Sequence, residues 1–145
     1  MKDILRDDSR RHVRIAALAT GIAAAWSLAA GAADMAVTLQ GAQEVPPVTT
    51  SATGSGTITV GADGMVSGKI ATKGINGTAA HIHSGEAGKN GPVVVPLQKD
   101  GDGGWSVPAS AKLTPDQLKM LQAGGMYVNV HSAAHPDGEI RAQLK

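Results

Sequence analysis

The sequence predicts an all-β domain, an antiparallel sandwich or Greek-key barrel with one short connecting helix. Short segments rich in β-branched residues alternate with glycine-containing turns at a spacing of roughly ten residues. After residue 33 the chain has no Phe, one Tyr and one Trp, so its core has to be built from aliphatic side chains. Only one segment carries helix signals. These observations favour many short strands around a single core.

The strand segments follow one another through recognisable turns. The sequence Ala62-Asp63-Gly64 predicts a hairpin between two of them, because Asp and Gly favour tight turns. Two adjacent prolines, Pro46 and Pro47, make residues 41–48 an ordered loop or a sheet edge. The predicted strands are 35–39, 56–60, 65–71, 78–83, 93–97 (which looks buried), 105–107, 127–131 and 139–144.

One helix is predicted after residue 113. Thr114 is placed as its N-cap, Pro115 as its first residue, and Gln117 completes a capping box. Leu118 is placed on its inner face, and Gly124 provides a C-terminal stop. This helix is expected to connect strands and to carry no catalytic residue.

Residues 1–33 have the layout of a cleavable signal peptide. A segment with five basic and three acidic residues, 1–14, precedes an uncharged, Ala-rich run and the small residues Ala30-Gly31-Ala32. The sequence Ser9-Arg10-Arg11-His12-Val13 resembles the twin-arginine export signal, and the general secretory route is the alternative. The sequence therefore predicts a periplasmic or secreted domain, residues 34–145, with no membrane association after cleavage.

The composition of residues 34–145 excludes several functions. Eight Lys and Arg against nine Asp and Glu give a formal charge of −1, and no basic patch suits nucleic acid. The chain contains no cysteine, which excludes thiolate zinc sites, blue-copper centres and cysteine nucleophiles.

Four histidines in residues 34–145 predict a metal site. His81 and His83 are two positions apart on a predicted strand and therefore share a face, while Ile82 points into the core. His131 ends a later strand and His135 lies in the turn after it. Neutral imidazoles are ligands for copper or zinc, so we expect His81, His83, His131 and His135 to bind a copper ion, with zinc as the alternative.

Other polar residues are placed around this site. Glu86, Asp137 and Glu139 are expected to orient the imidazoles, and Arg141 to pair with Glu139 or to lie near the site. Tyr127 and Asn129 are expected to be structural, bonding to loop backbone. Ser84 and Ser132 are each adjacent to a histidine on a strand, so they point away from it and no catalytic residue is predicted. Alternatively, the histidines only tie loops together.

Three blocks of the sequence resemble the CHRD domain, named for chordin and widespread in bacterial secreted proteins. They are residues 39–48, 81–95 and 127–141. The resemblance covers nearly all of residues 34–145. It implies an immunoglobulin-like β-sandwich and does not imply a specific activity.

The histidine pattern also resembles copper–zinc superoxide dismutase. The His-x-His strand and the later Val-His position imply copper ligands at His81, His83 and His131 on the outer face of a Greek-key barrel. The metal-bridging histidine, the zinc loop and the disulfide cysteines of that family are missing, and His135 matches no position in it. Arg141 would correspond to the cation that lies near the copper.

Three functions follow from these patterns. The first is an exported domain that binds copper as a carrier, a buffer or a redox protein. The second is an extracellular module that binds a periplasmic or extracellular protein without metal. The third is an enzyme like superoxide dismutase, which the missing second metal site disfavours.

Overall fold

The computed structural model describes residues 31–145. The predicted leader, with its twin-arginine sequence, lies outside the described residues except for its last three positions. None of the helices in the described part of the chain is long and apolar enough to cross a membrane.

The described chain contains nine strands, one α-helix and a short 3-10 turn at Gly41–Gln43. The strands are β1 (Ala33–Gln40), β2 (Thr53–Val60), β3 (Val66–Lys73), β4 (Gly77–Ser84), β5 (Val93–Pro96), β6 (Gln98–Lys99), β7 (Gly104–Ser106), β8 (Met126–Ser132) and β9 (Ile140–Gln143), and α1 is Pro115–Gln122.

All strand pairs are antiparallel and form one sheet in the order β5-β4-β8-β9-β1-β2-β3-β7-β6. Only Leu97 separates β5 from β6, and its N–H donates to the carbonyl of Ala80 in β4 at 2.9 Å. The segment 93–99 thus joins the two ends of the sheet into a nearly closed barrel. The predicted all-β architecture with one short helix is confirmed.

The barrel interior is aliphatic, as the composition requires. Ile82, Val128, Val130 and Ile140 are at most 1% exposed, and Trp105 is buried with them. Burying one such side chain contributes about 1.5–3 kcal/mol relative to leaving it in water. The predicted alternation along β4, β8 and β9 is confirmed, because these residues share the inner face.

Local features also follow the sequence. Gly64 adopts φ +86° in the hairpin between β2 and β3, a conformation that favours glycine. The capping box of α1 is formed by reciprocal hydrogen bonds between Thr114 and Gln117. The expectation that segment 93–97 is buried is wrong for Val93, which is 50% exposed, and for Pro96, which is also exposed. Both lie in β5, an edge strand of the described sheet that pairs with β4 in an irregular register.

The polar face of β8 and β9 is covered by loops. Tyr127 and Asn129 are each 2% exposed and Arg141 is 1% exposed. Asn90, in the loop after β4, donates to the carbonyl of Val45 in the loop after β1 at 2.7 Å, which joins the two loops. A second, polar interior therefore lies outside the barrel wall.

Candidate metal centre

The pairing of β4 with β8 brings three histidines together. His81 is paired with Asn129, and His131 with Ala79, two positions earlier on β4. Ring centroids are 4.8 Å apart for His81 and His131, 5.4 Å for His81 and His83, and 6.1 Å for His83 and His131. One ring nitrogen from each histidine lies within 4.8 Å of those of the other two.

Two backbone carbonyls determine which ring nitrogens carry protons in the neutral imidazoles. His131 Nδ1 lies 2.8 Å from the carbonyl of Pro136, and His83 Nδ1 lies 3.0 Å from the carbonyl of Gly91. A carbonyl only accepts, so both Nδ1 atoms donate and both Nε2 atoms carry lone pairs. His81 Nδ1 lies 3.0 Å from His131 Nε2 and therefore donates to it.

The lone pairs of this cluster fit a metal ion. His83 Nε2 is buried and has no hydrogen-bond partner among residues 31–145. Within residues 31–145, His131 Nε2 accepts a hydrogen bond only from His81 Nδ1. His81 Nδ1 becomes a third metal ligand if its proton moves to His81 Nε2. The 3.0 Å between His81 Nδ1 and His131 Nε2 is near the separation of about 2.9–3.4 Å expected for two nitrogens bound at about 2.0–2.1 Å to one ion.

Burial keeps the imidazoles ready to bind. It lowers the pKa of His81, with further lowering from His131 and His83. Burial also lowers the pKa of His83, although the Gly91 carbonyl acts in the opposite direction. A metal ligand has to be deprotonated, so a lowered pKa extends binding toward more acidic pH.

His135 does not belong to this cluster of three. Its N–H donates at 3.2 Å to the carbonyl and the hydroxyl of Ser132, which forms the tight turn after β8. The ring is close enough to Glu139 to help lower the pKa of that carboxyl. Its role as a fourth ligand therefore stays a prediction that this geometry does not support.

The carboxylates predicted to orient the imidazoles have other partners. Glu86 is exposed and pairs with Lys89 at 2.9 Å, and Asp137 is exposed in the turn. Buried Glu139 accepts hydrogen bonds from Thr50 and Ser132. Among the described residues none of the three hydrogen-bonds to His81, His83 or His131. Loop carbonyls accept from Nδ1 of His83 and His131 instead. The orienting role of the carboxylates therefore stays a prediction that these contacts do not support.

Arg141 lies near the site, as expected, but does not pair with Glu139. Its guanidinium carbon is 3.4 Å from the centroid of the Tyr127 ring. That ring stacks on His83 with centroids 4.8 Å apart and planes 2° apart. The Tyr127 hydroxyl accepts from the N–H of Gly91 at 3.2 Å, so its predicted contact with loop backbone is confirmed.

Glu44 is a site residue that the sequence reasoning missed. Its side chain is 4% exposed, and its Oε1 has no hydrogen bond within residues 31–145. Burial raises the pKa of Glu44 to about 7, although Asn129 and Arg141 act in the opposite direction. Asn129 is thus near enough to stabilise the carboxylate without meeting Oε1 in hydrogen-bonding geometry. The one feature of the sequence that sets Glu44 apart is that it is the only carboxylate between Asp34 and Asp63.

Comparison with known proteins places the chain in a family. A family model described as the CHRD domain matches residues 35–144. The chain belongs to the CHRD domain family. The matched range of this CHRD domain includes Glu44 and the three clustered histidines. A search of curated proteins found no match, and a search of solved structures found none.

Proposed function

We propose that this CHRD domain binds one copper ion at His81 Nδ1, His83 Nε2 and His131 Nε2. The observation that carries the proposal is the convergence of three ring nitrogens within 4.8 Å of one another, with the His83 lone pair buried and without a partner in the described chain. A buried unsatisfied nitrogen destabilises the protein by about 1–3 kcal/mol. Asn129 is the side chain close enough to His83 to act on its pKa, and a bound ion or a reoriented Asn129 amide would remove that penalty.

The donor set favours copper. It consists of three imidazoles without thiolate, and for a given nitrogen site Cu(II) binds more tightly than the other divalent first-row ions. Zinc suits the same ligands and is the alternative. Three protein donors leave at least one position for water or a small ligand.

Copper titration of the wild type against His83→Ala and His131→Ala tests the centre. We expect the wild type to bind one Cu(II) tightly and each variant to lose at least about tenfold in affinity, which is 1.4 kcal/mol. His135→Ala is the matched control, because it removes a nearby histidine outside the cluster. Equal binding by the wild type and the two cluster variants would refute the centre.

The predicted leader and the open metal position together support a proposal for the biological role. We propose that the chain is exported and acts as a copper carrier, a copper buffer or a redox protein. The mass of the mature protein from the periplasm or the medium tests cleavage near residue 33. Superoxide dismutation assayed on copper-loaded protein separates an enzyme from a carrier.

A further inference from the structure

Five buried side chains form a connected group beside the histidines, which we call the polar ring: Glu44, His83, Tyr127, Asn129 and Arg141. Their exposed fractions run from 1% to 7%. Tyr127 stacks between neighbours from the two flanking strands, His83 of β4 and Arg141 of β9. Asn129 is close enough to His83 and to Glu44 to shift the pKa of both. Glu44 and Arg141 interact through their charges, which completes the ring.

The polar ring contains one fixed positive charge. The Arg141 guanidinium donates to neutral acceptors, the side-chain oxygens of Asn90 and Gln143 and the carbonyls of Glu86 and Lys89. Within residues 31–145 no carboxylate hydrogen-bonds to it. Burial is the largest cause of the lowered pKa of His83, and the charge of His131 is the next. The charge of Arg141 lowers this pKa further. A divalent ion on His83 would meet the same repulsion, strengthened by the low dielectric of the interior.

Glu44 is the one acidic member of the polar ring. Its carboxyl lies against Gly138, where a Cβ would come within 2.5 Å of Glu44 Oε1 and within 2.6 Å of Asn129 Nδ2. Two clefts of about 240 and 350 Å³ border Glu44 and open to solvent. The charged or titratable groups that share these clefts with it are His135 and Asp137 in the first and Arg141 in the second.

We propose that Glu44 supplies the counter-charge of the metal centre and makes it selective for divalent over monovalent ions. The inference rests on the proposed function and names the ion class. When a divalent ion binds, the O–H bond of the Glu44 carboxyl breaks, its electron pair stays on the carboxylate, and the proton leaves to solvent. The carboxylate then offsets one of the three positive charges that Arg141 and the ion bring together. A monovalent ion brings one charge fewer and displaces the proton less.

The raised pKa of the Glu44 carboxyl agrees with its proposed role as the counter-charge. A carboxyl whose pKa is raised to about 7 holds a proton over much of the neutral range. His81 and His83 have lowered pKa values and are largely neutral there. The third proposed ligand, His131, is present in both the wild type and Glu44→Gln, so between about pH 6.5 and 8 the difference in proton release between these two proteins reports on Glu44.

Calorimetry in buffers of different ionisation enthalpy measures that release. At pH 6.5 we expect the wild type to release most of one proton per Cu(II) more than Glu44→Gln releases. At pH 8.5 we expect the two proteins to release the same number. At pH 8 the variant should bind Cu(II) about tenfold more weakly, while binding of Cu(I), or of Ag(I) as its stable analogue, should weaken by the square root of that factor, about threefold.

Glu139→Gln is the matched control, because it makes the same substitution at another buried carboxyl. Burial acts to raise the pKa of Glu139, but hydrogen bonds from Ser132 and Thr50 leave it lowered overall, so it is ionised across this range. Glu139→Gln can change the affinity for copper only by a factor that is the same at every pH in this range. It leaves the number of protons released on binding unchanged.

Distinct outcomes separate the two proposals. Equal proton release and Cu(II) affinity in Glu44→Gln and wild type would overturn the role of Glu44, as would equal losses for Cu(II) and Ag(I). Absence of metal binding by the wild type refutes the proposed function instead. If Glu44→Gln does not fold, the wild type alone decides: proton release that is the same for Cu(II) and Ag(I), or independent of pH from 6.5 to 8.5, overturns the inference.

Discussion

His81 Nδ1 lies 3.0 Å from His131 Nε2, so one proton lies between two nitrogens that can bind the same metal ion. The carbonyl of Pro136 fixes the direction of that hydrogen bond, because it accepts from His131 Nδ1. A metal ion at this position has to replace the proton. The protein without metal is therefore held close to the proposed metal-bound arrangement by a hydrogen bond that binding would break.

The first prediction is a change of tautomer at His81. Without metal we expect protons on Nδ1 of His81, His83 and His131. On addition of Zn(II), a diamagnetic probe, the His81 proton should move to Nε2 while the other two stay on Nδ1. Long-range ¹H–¹⁵N correlation spectra of the imidazoles measure this directly. An unchanged His81 tautomer in the presence of bound zinc would contradict the proposed ligand atoms.

The second prediction separates the ring of Tyr127 from its hydroxyl. Tyr127→Phe keeps the stack on His83 but leaves the N–H of Gly91 without its acceptor. We expect it to lower the free energy of unfolding by about 1–3 kcal/mol and to change Cu(II) affinity less than about threefold. Tyr127→Leu also removes the stack on His83, so it should lower both the free energy of unfolding and the affinity for Cu(II). Urea unfolding and copper titration measure the two effects, and a Phe variant that loses copper as strongly as the Leu variant would contradict this separation.

The third prediction concerns Gly138. Its φ is +129°, and an added Cβ would come within 2.5 Å of Glu44 Oε1 and 2.6 Å of Asn129 Nδ2. Gly138→Ala should therefore destabilise the fold by at least about 2 kcal/mol, through backbone strain together with a buried clash. Gly88→Ala is the control: φ is +79° there and no atom lies within 4 Å of the added Cβ. Similar losses in both variants, measured by urea unfolding, would show that backbone strain alone is responsible.

Alternation along the strands was readable from the sequence. The period of two placed Ile82 inside and His81 and His83 together on the other face, and the structure has the same arrangement. His131 was assigned to the same polar face by the alternation of its own strand. The contact across strands required the pairing of β4 with β8, which a family resemblance could suggest but spacing could not.

The surroundings of the histidines depend on loop paths that have no sequence period. The carbonyls of Gly91 and Pro136 orient the imidazoles, and carbonyls carry no side-chain signal. His135 is four residues from His131, but a tight turn takes it toward Glu139. Glu44 reaches the polar ring from a loop that is distant in sequence from His83, so nearness along the chain pointed to Glu86, Asp137 and Glu139 instead.

The fourth prediction is a pH dependence of stability that arises from Glu44. Its pKa is about 7 in the folded protein against the usual value of 4.5 for a glutamate side chain. Between those pH values the folded state binds more protons than the unfolded state, so the Glu44 contribution to stability is present below about pH 4.5 and is lost as pH rises toward 7. The slope from this one group can approach about 1.4 kcal/mol per pH unit.

His81 and His83 act in the opposite direction below pH 6.5, because their lowered pKa values make the folded state bind fewer protons than the unfolded state. The wild-type curve therefore mixes two trends, and the difference between wild type and Glu44→Gln isolates the carboxyl. We expect that difference, from urea unfolding of metal-free protein at pH 5, 6, 7 and 8, to favour the wild type most at pH 5. It should shrink through pH 7 and become constant above it. A difference that is the same at all four pH values would show that Glu44 is already ionised in the folded protein, and it would leave the metal centre without a proton to displace.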